Sequence, residues 1–164
     1  MVWTKSKDGK FAVKSLYKAL EVESQGKFPT NVIWNSWVPP RVGFFSWEAT
    51  WNKVLTLDQI QRRGWPLANR CSLCLSEEET LDHLLLQCNV ARILWHLLFS
   101  LFGVSWVLPF SARETLLGWH GSFVGKKRKK VWQVALLCLF WTIWKERNSR
   151  AFENEGRPVQ GLWA

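Results

Sequence analysis

Three of the chain's four cysteines and one of its three histidines crowd into eighteen residues, and their spacing constrains the fold more than any other feature. The order is Cys71-Ser72-Leu73-Cys74, then His83 after eight intervening residues, then Cys88 after four more. Thiolate and imidazole are ligands of tetrahedral Zn²⁺, and a structural site takes four of them. A two-residue gap lets one tight turn aim both thiolates at the metal, and the next segment is long enough to loop out and return. His83 lies in a helical pattern from Thr80 to Leu86, whereas Cys88, five positions later, sits about 500° around an α-helix instead of near one full turn. The helix is therefore expected to loosen or end near Gln87. Three thiolates and one imidazole close the coordination shell and leave no position for water or substrate, which points to a structural role. The zinc-deaminase pattern is not met, because no histidine precedes the cysteine pair. Structural zinc supplies on the order of 10 kcal/mol, comparable with the whole stability of a small domain, so the metal is expected to order the segment from Trp65 to about Trp95. The bland alternative is four packed core residues with no metal.

Charge bears on partners. A formal charge of +9 and a pI near 9.7 favour anionic ones. Inside the zinc loop, Glu77, Glu78, Glu79 and Asp82 add to the net −1 of Zn²⁺ with three thiolates, so this loop is expected to repel phosphate. The candidate nucleic-acid contact is Lys126, Lys127, Arg128, Lys129 and Lys130, with Arg41, Arg62, Arg63 and Arg70 as contributors. A solvated loop or a nuclear-import signal is the other reading of such a run. No phosphate-binding loop, nucleophile elbow or H-E-x-x-H motif occurs, and neither an enzyme nor a small-molecule substrate is expected. His96 and His120 have no partners at ligand spacing.

The first residues lack the apolar run of a signal peptide, and clustered cysteines suit a reducing, intracellular compartment, with the nucleus as one destination. From Val131 to Trp144 the chain is apolar over a stretch shorter than the ~20 residues that span a bilayer, which predicts a buried helix, with a membrane-associated segment as the much weaker alternative.

Periodicity predicts a mainly α fold: a small helical zinc-binding domain with a short N-terminal β-hairpin and a long C-terminal helix. The hairpin pairs Val2-Trp3-Thr4 with Phe11-Ala12-Val13 across an Asp8-Gly9 turn, and Ser15 opens a short helix after it. Ile33 and Trp37 lie four apart on a short helix that Pro39-Pro40 ends. From Arg41 to Asn52 a helix carries Phe44, Trp47 and Trp51 on one stripe and Val42, Phe45 and Ala49 on another, which implies burial on both sides. Capping boxes are expected at Thr56 with Gln59 and at Ser111 with Glu114. Asn89 caps a helix whose core face is Val90, Ile93, Leu94, Leu97, Leu98 and Leu101. The last helix runs from Lys127 to Phe152 with Trp132, Ala135, Leu136, Leu139, Phe140, Ile143 and Trp144 inward, and Cys138 reads as a buried thiol. Thirteen tryptophans read chiefly as core bulk, with stacking on bases as the functional alternative. Residues 1–103 form the expected zinc-binding domain, 104–152 a helical extension and 153–164 a disordered tail.

Trp3, Asp8-Gly9-Lys10-Phe11-Ala12-Val13-Lys14-Ser15-Leu16-Tyr17, Ile33-Trp34, Trp37 and Val38-Pro39-Pro40-Arg41-Val42 stand in an order that continues through Phe45, Trp47, Leu55-Thr56, Arg62-Arg63-Gly64, Cys71, Cys74, Glu79-Thr80, His83-Leu84 and Cys88. Over roughly residues 1 to 100 this order resembles the zinc-binding domain that follows reverse transcriptase in plant non-LTR, LINE-type retroelements. Ile143-Trp144-Lys145-Glu146-Arg147-Asn148 with Phe152 is similar to the segment that trails that domain. The resemblance implies Zn²⁺ as cofactor and a non-catalytic accessory module that helps a polymerase hold RNA or DNA. It also implies an intact reading frame with endonuclease, polymerase and sometimes RNase H domains, of which this chain reads as a fragment. The alternatives are an interaction module that docks on a polymerase domain, and an inert retroelement remnant.

Overall fold

The computed structural model describes residues 13, 28–119 and 124–152, and every regular element among them is helical. In chain order these are α1 (Thr30–Ile33), α2 (Pro40–Thr50), α3 (Leu57–Arg62), a π-helical turn (His83–Gln87), α4 (Asn89–Phe102), α5 (Ala112–Gly118) and α6 (Gly125–Phe152). Of the expected hairpin only Val13 lies within the described residues, and its backbone is helical with its side chain exposed, so the hairpin finds no support. The helix expected from Ser15 and the tail from Glu153 lie outside the described residues.

Helix α6 is the spine. Its 28 residues extend about 42 Å, and α1, α2, the π-helical turn and α4 all pack on it. Trp132, Leu136, Phe140, Ile143 and Arg147 recur at three- and four-residue steps and are buried, together with Leu137. Cys138 falls off this stripe and is exposed, which corrects the expectation of a buried thiol.

Pro39 and Pro40 fix the start of α2, where a missing N–H costs nothing. Its buried stripe is Val42, Phe45, Ser46, Ala49 and Thr50. Phe45 meets the rings of Trp141 and Trp144 at 5.7 and 5.5 Å. Ser46 and Thr50 donate their hydroxyls to the carbonyls of Val42 and Ser46, each at 2.9 Å, so the two polar groups enter the core satisfied. At Gly43 a Cβ would stand 3.2 Å from the Ile33 carbonyl oxygen, so the glycine sets how closely α1 lies on α2. The second stripe stays outside: Phe44, Trp47 and Trp51 are 57%, 41% and 43% exposed. Among the described residues this outer stripe is only partly covered: Trp34 packs edge-on against Phe44, and Phe28 stacks on Trp51.

On α4 the expected face is only half inward, with Val90, Leu94 and Leu98 packed against the core. Ala91 and Trp95 are buried with Leu94, Leu98, Phe99 and Phe102 beside them, while Ile93, Leu97 and Leu101 face outward. The larger indole takes the inner side, where Trp95 Nε1 donates to the Leu85 carbonyl at 2.8 Å and the ring packs edge-on against Trp119 and Phe140. Gly103 ends the helix in a left-handed conformation (φ 64°), and Val104 N donates back to the Phe99 carbonyl. Beyond it Trp119 and Trp132 stack face to face at 4.1 Å and 3°, with Trp119 Nε1 donating to the Trp132 carbonyl at 2.7 Å. Trp106 and Phe102 close around this pair.

Candidate metal centre

Between α3 and the π-helical turn the backbone makes a tight knuckle. Cys71 N donates to the Glu77 carbonyl at 2.8 Å, and Leu75 N donates to the Cys71 carbonyl at 2.9 Å. Arg70 Nε donates to the Leu75 carbonyl. Leu75 adopts a left-handed backbone (φ 56°) as the chain turns back.

The second half of the site solves the five-residue problem by widening the helix. Cys88 N donates to the His83 carbonyl at 2.7 Å, an i→i+5 bond, so His83 and Cys88 lie about one π-helical turn apart on one side. The chain then leaves the helix at Cys88 (ψ 135°), whose carbonyl accepts from Arg92 N at 2.8 Å. Cys88, not the expected Asn89, is thus the N-cap of α4. Leu81, Leu84, Leu85 and Leu86 anchor the turn in the core.

The ligand atoms of Cys71, Cys74, His83 and Cys88 all lie within 4.8 Å of one another. A tetrahedron with bonds of ~2.0–2.3 Å has edges of roughly 3.3–3.8 Å. Cys74 Sγ and His83 Nε2 are already 3.4 Å apart, and a bound metal would need the widest pair to close by about 1 Å. The donor chemistry fits as well. Burial pushes the Cys71 thiol up to about 12 and raises that of Cys88. Desolvation also opposes ionisation of Cys74, but hydrogen bonds from Ser76, from the Glu77 and Ser76 backbone and from His83 outweigh it and bring that thiol down to about 5. Two buried thiols that hold their protons and one more acidic thiol would all be brought to the thiolate form by a divalent cation, which stabilises the deprotonated form of each ligand. This cluster is suited to zinc.

The acidic residues of the loop divide. Glu77 and Glu78 are exposed, but Glu79 is fully buried and Asp82 is half-buried, so these two serve structure. Glu79 Oε1 accepts from Leu57 N at 3.0 Å, and Asp82 Oδ1 accepts from Ala112 N at 2.8 Å. Each carboxylate sits at the start of a helix, where the unpaired N–H groups and the dipole favour negative charge. They replace the expected capping boxes: neither Thr56 nor Ser111 makes a side-chain cap, and the Thr56 hydroxyl turns to the Asp58 carboxylate.

Glu79 also receives the C-terminal part of α6. Arg147 Nε stands 3.1 Å from both carboxylate oxygens and Nη2 2.6 Å from Oε1, with the two side chains 4% and 0% exposed. One turn on, Arg150 Nη1 donates to the Leu73 carbonyl at 3.2 Å. Neither contact follows from charge pattern or periodicity. The signals that could have marked them are Glu79-Thr80 and Arg147-Asn148, both within the stretches that resemble the reverse-transcriptase segments.

Lys126 to Lys130 lie in the first turns of α6, about 25 Å along the axis from Arg147, counting from Lys130. Lys127, Arg128, Lys129 and Lys130 are exposed, and Lys130 Nζ lies 5.2 Å from the Trp37 ring. Arg62, Arg63 and Arg70 are exposed elsewhere, Arg70 against the zinc loop at Leu75, and Arg41 lies over Trp141. His96 is exposed outside the cluster, and His120 is outside the described residues. Among the described residues no helix is long and apolar enough to cross a membrane.

A family described as zinc-binding in reverse transcriptase matches residues 11–95, a little over half of the chain and the whole of the cysteine and histidine cluster. The chain is also 32% identical over 98 residues to a candidate ribonuclease H protein of Arabidopsis thaliana, a match that spans 57% of this chain and 16% of that relative's length. No solved structure matches.

Proposed function

Since the chain belongs to the family of zinc-binding domains of reverse transcriptases, we propose that it is a non-catalytic structural module in which Cys71, Cys74, His83 and Cys88 hold Zn²⁺ and a basic surface assists nucleic-acid binding. The observation that carries the reading is the convergence of three sulfurs and one imidazole within 4.8 Å, a closed set with no vacant ligand position. When bound, the ion supplies charge and fixed geometry. The chain's residues hold two loops together around it.

The nucleic-acid part rests on charge placement. Four exposed cations occupy the first turns of α6, where the positive end of the dipole adds to their potential and like charges repel one another. Phosphate relieves this repulsion. Exposed Trp37 beside Lys130 offers a ring on which a base can stack. The polymerase and ribonuclease H functions implied for longer relatives are not extended to this chain, because the matched stretch is so small a part of that relative.

A second reading has its own observation. Trp34, Trp37, Phe44, Trp47 and Trp51 leave 41–64% of their surface in solvent along α1 and α2, an apolar patch of the kind that covers a partner. A polymerase domain is the partner that the family suggests. An intracellular location accompanies both readings.

Metal analysis of the purified chain, with salt titrations of RNA and DNA binding, tests the proposal. One zinc per chain is expected, lost in Cys71→Ser. About five phosphate contacts give a slope of log affinity on log salt near −4.5 for duplex DNA and −3.5 for single strands. Binding that ignores salt sinks the nucleic-acid part. Failure to bind nucleic acid together with tight capture of a polymerase domain favours docking, and failure of both favours an inert remnant.

A further inference from the structure

The two residues between Cys71 and Cys74 set the direction of both sulfurs, and both are held by side chains from outside the knuckle itself. Ser72 N donates to Glu79 Oε2 at 3.4 Å, and the Leu73 carbonyl accepts from Arg150 Nη1 at 3.2 Å. Glu79 is fixed by Arg147, by Leu57 N, and through its own backbone N–H, which donates to Asn69 Oδ1 at 2.8 Å. Arg147 and Arg150 lie 68 and 77 positions from the atoms they touch, and beyond the 11–95 stretch that matches the family.

We propose that Arg147 and Arg150 are positioning residues of the zinc centre, so that the metal module extends through α6 and the last helix sets how tightly the knuckle holds its ion. This rests on the reading that the four side chains bind Zn²⁺. Arg147 aligns the carboxylate that grips the Ser72 amide, and its planar fork is suited to that task where the ammonium of lysine is not. Arg150, itself paired with Glu146 at 2.8 Å, holds the knuckle by its Leu73 carbonyl. Partners outside the first ligands fix ligand orientation, and their loss costs about 10- to 100-fold in metal affinity.

The test uses the full chain loaded with Zn²⁺, and with Co²⁺ as a spectroscopic probe. Zinc release into excess chelator is timed for wild type, Arg147→Met, Arg147→Lys, Arg150→Gln and Leu136→Ala. Leu136 is buried in the same helix, so its variant reports lost stability alone. Release is expected to quicken about 10-fold in Arg150→Gln, which leaves the buried ion pair intact and should fold, and up to about 100-fold in Arg147→Met. Arg147→Lys recovers part of the loss, and the Co²⁺ ligand-field bands shift in the arginine variants but not in Leu136→Ala. Release at the wild-type rate from folded Arg150→Gln and Arg147→Lys overturns the proposal, as does release that tracks melting temperature across all variants, Leu136→Ala included. A wild-type chain that binds no zinc overturns the reading of the site itself and this proposal with it.

Discussion

The two ends of α6 are held by different physics. Towards its C-terminus, Arg147 and Arg150 reach into a polar network that runs through Glu79 to the cysteine knuckle. Towards its N-terminus, Trp132 lies in a column of rings with Trp119, Phe102 and Phe99. The first end is directional: a metal with four ligands and a bidentate ion pair are satisfied together or leave buried charge exposed to no partner. The second end is additive, since each aromatic contact contributes only about 0.5–1.5 kcal/mol beyond its burial. Trp95 joins them, hydrogen-bonded to the π-helical turn while its ring packs on Trp119.

Removing the metal should separate the two ends most sharply. Structural zinc contributes on the order of 10 kcal/mol, and chelation or Cys71→Ser should strip amide protection from about residues 65–95 first, while residues 132–140 exchange later. Hydrogen exchange with and without chelator reads this. Simultaneous loss at both ends would make the molecule one cooperative unit and dissolve the contrast.

Two substitutions of similar size then probe each end alone. Glu79→Gln keeps the shape but leaves the Arg147 guanidinium buried without its counter-charge, a change expected to cost about 3–5 kcal/mol. Trp132→Ala opens a cavity in the ring column at a cost of about 3–5 kcal/mol. Urea unfolding of the zinc-loaded chain measures both, and the ends differ in what else moves: Glu79→Gln should quicken zinc release, and Trp132→Ala should leave it near wild type in the folded state. Equal release from the two variants would show that the aromatic column also supports the knuckle.

This contrast also explains what could be read from the chain beforehand. The cysteine and histidine cluster was legible because its spacing is local, and the mismatch between His83 and Cys88 foretold a break in helical geometry that takes the form of a π-helical turn. The long last helix was legible from its periodicity. Facing direction was not. On α4 the pattern of Ile93, Leu97 and Leu101 is as regular as that of Ala91 and Trp95, and the inward side is marked by distant partners of Trp95: the Leu85 carbonyl and the rings of Trp119 and Phe140. The same limit hid the exposed stripe of α2, the exposure of Cys138 and the role of Glu79, an acid among acids whose partner is 68 residues away. Local capping boxes lost at Thr56 and Ser111 for a similar reason, because carboxylates from the zinc loop arrive at both helix starts.

The smallest effect concerns strain that the directional end carries. Leu75 holds φ at 56°, a conformation that costs an L-residue about 1–2 kcal/mol, and its side chain is 57% exposed, so little burial offsets that cost. Glycine adopts the same backbone freely but gives back part of the gain through greater freedom when unfolded, of roughly 0.5–1 kcal/mol. Leu75→Gly should therefore stabilise the zinc-loaded chain by about 0.5–1 kcal/mol. Asn52, at φ 51° after α2, is a residue that tolerates this region, and Asn52→Gly should change stability by less. Thermal melts of the two variants under saturating zinc give the comparison. A gain at Leu75 that vanishes in chelator places the strain in the metal-held knuckle, since a turn that nothing fixes relaxes; a gain that persists means the backbone adopts this turn without the ion.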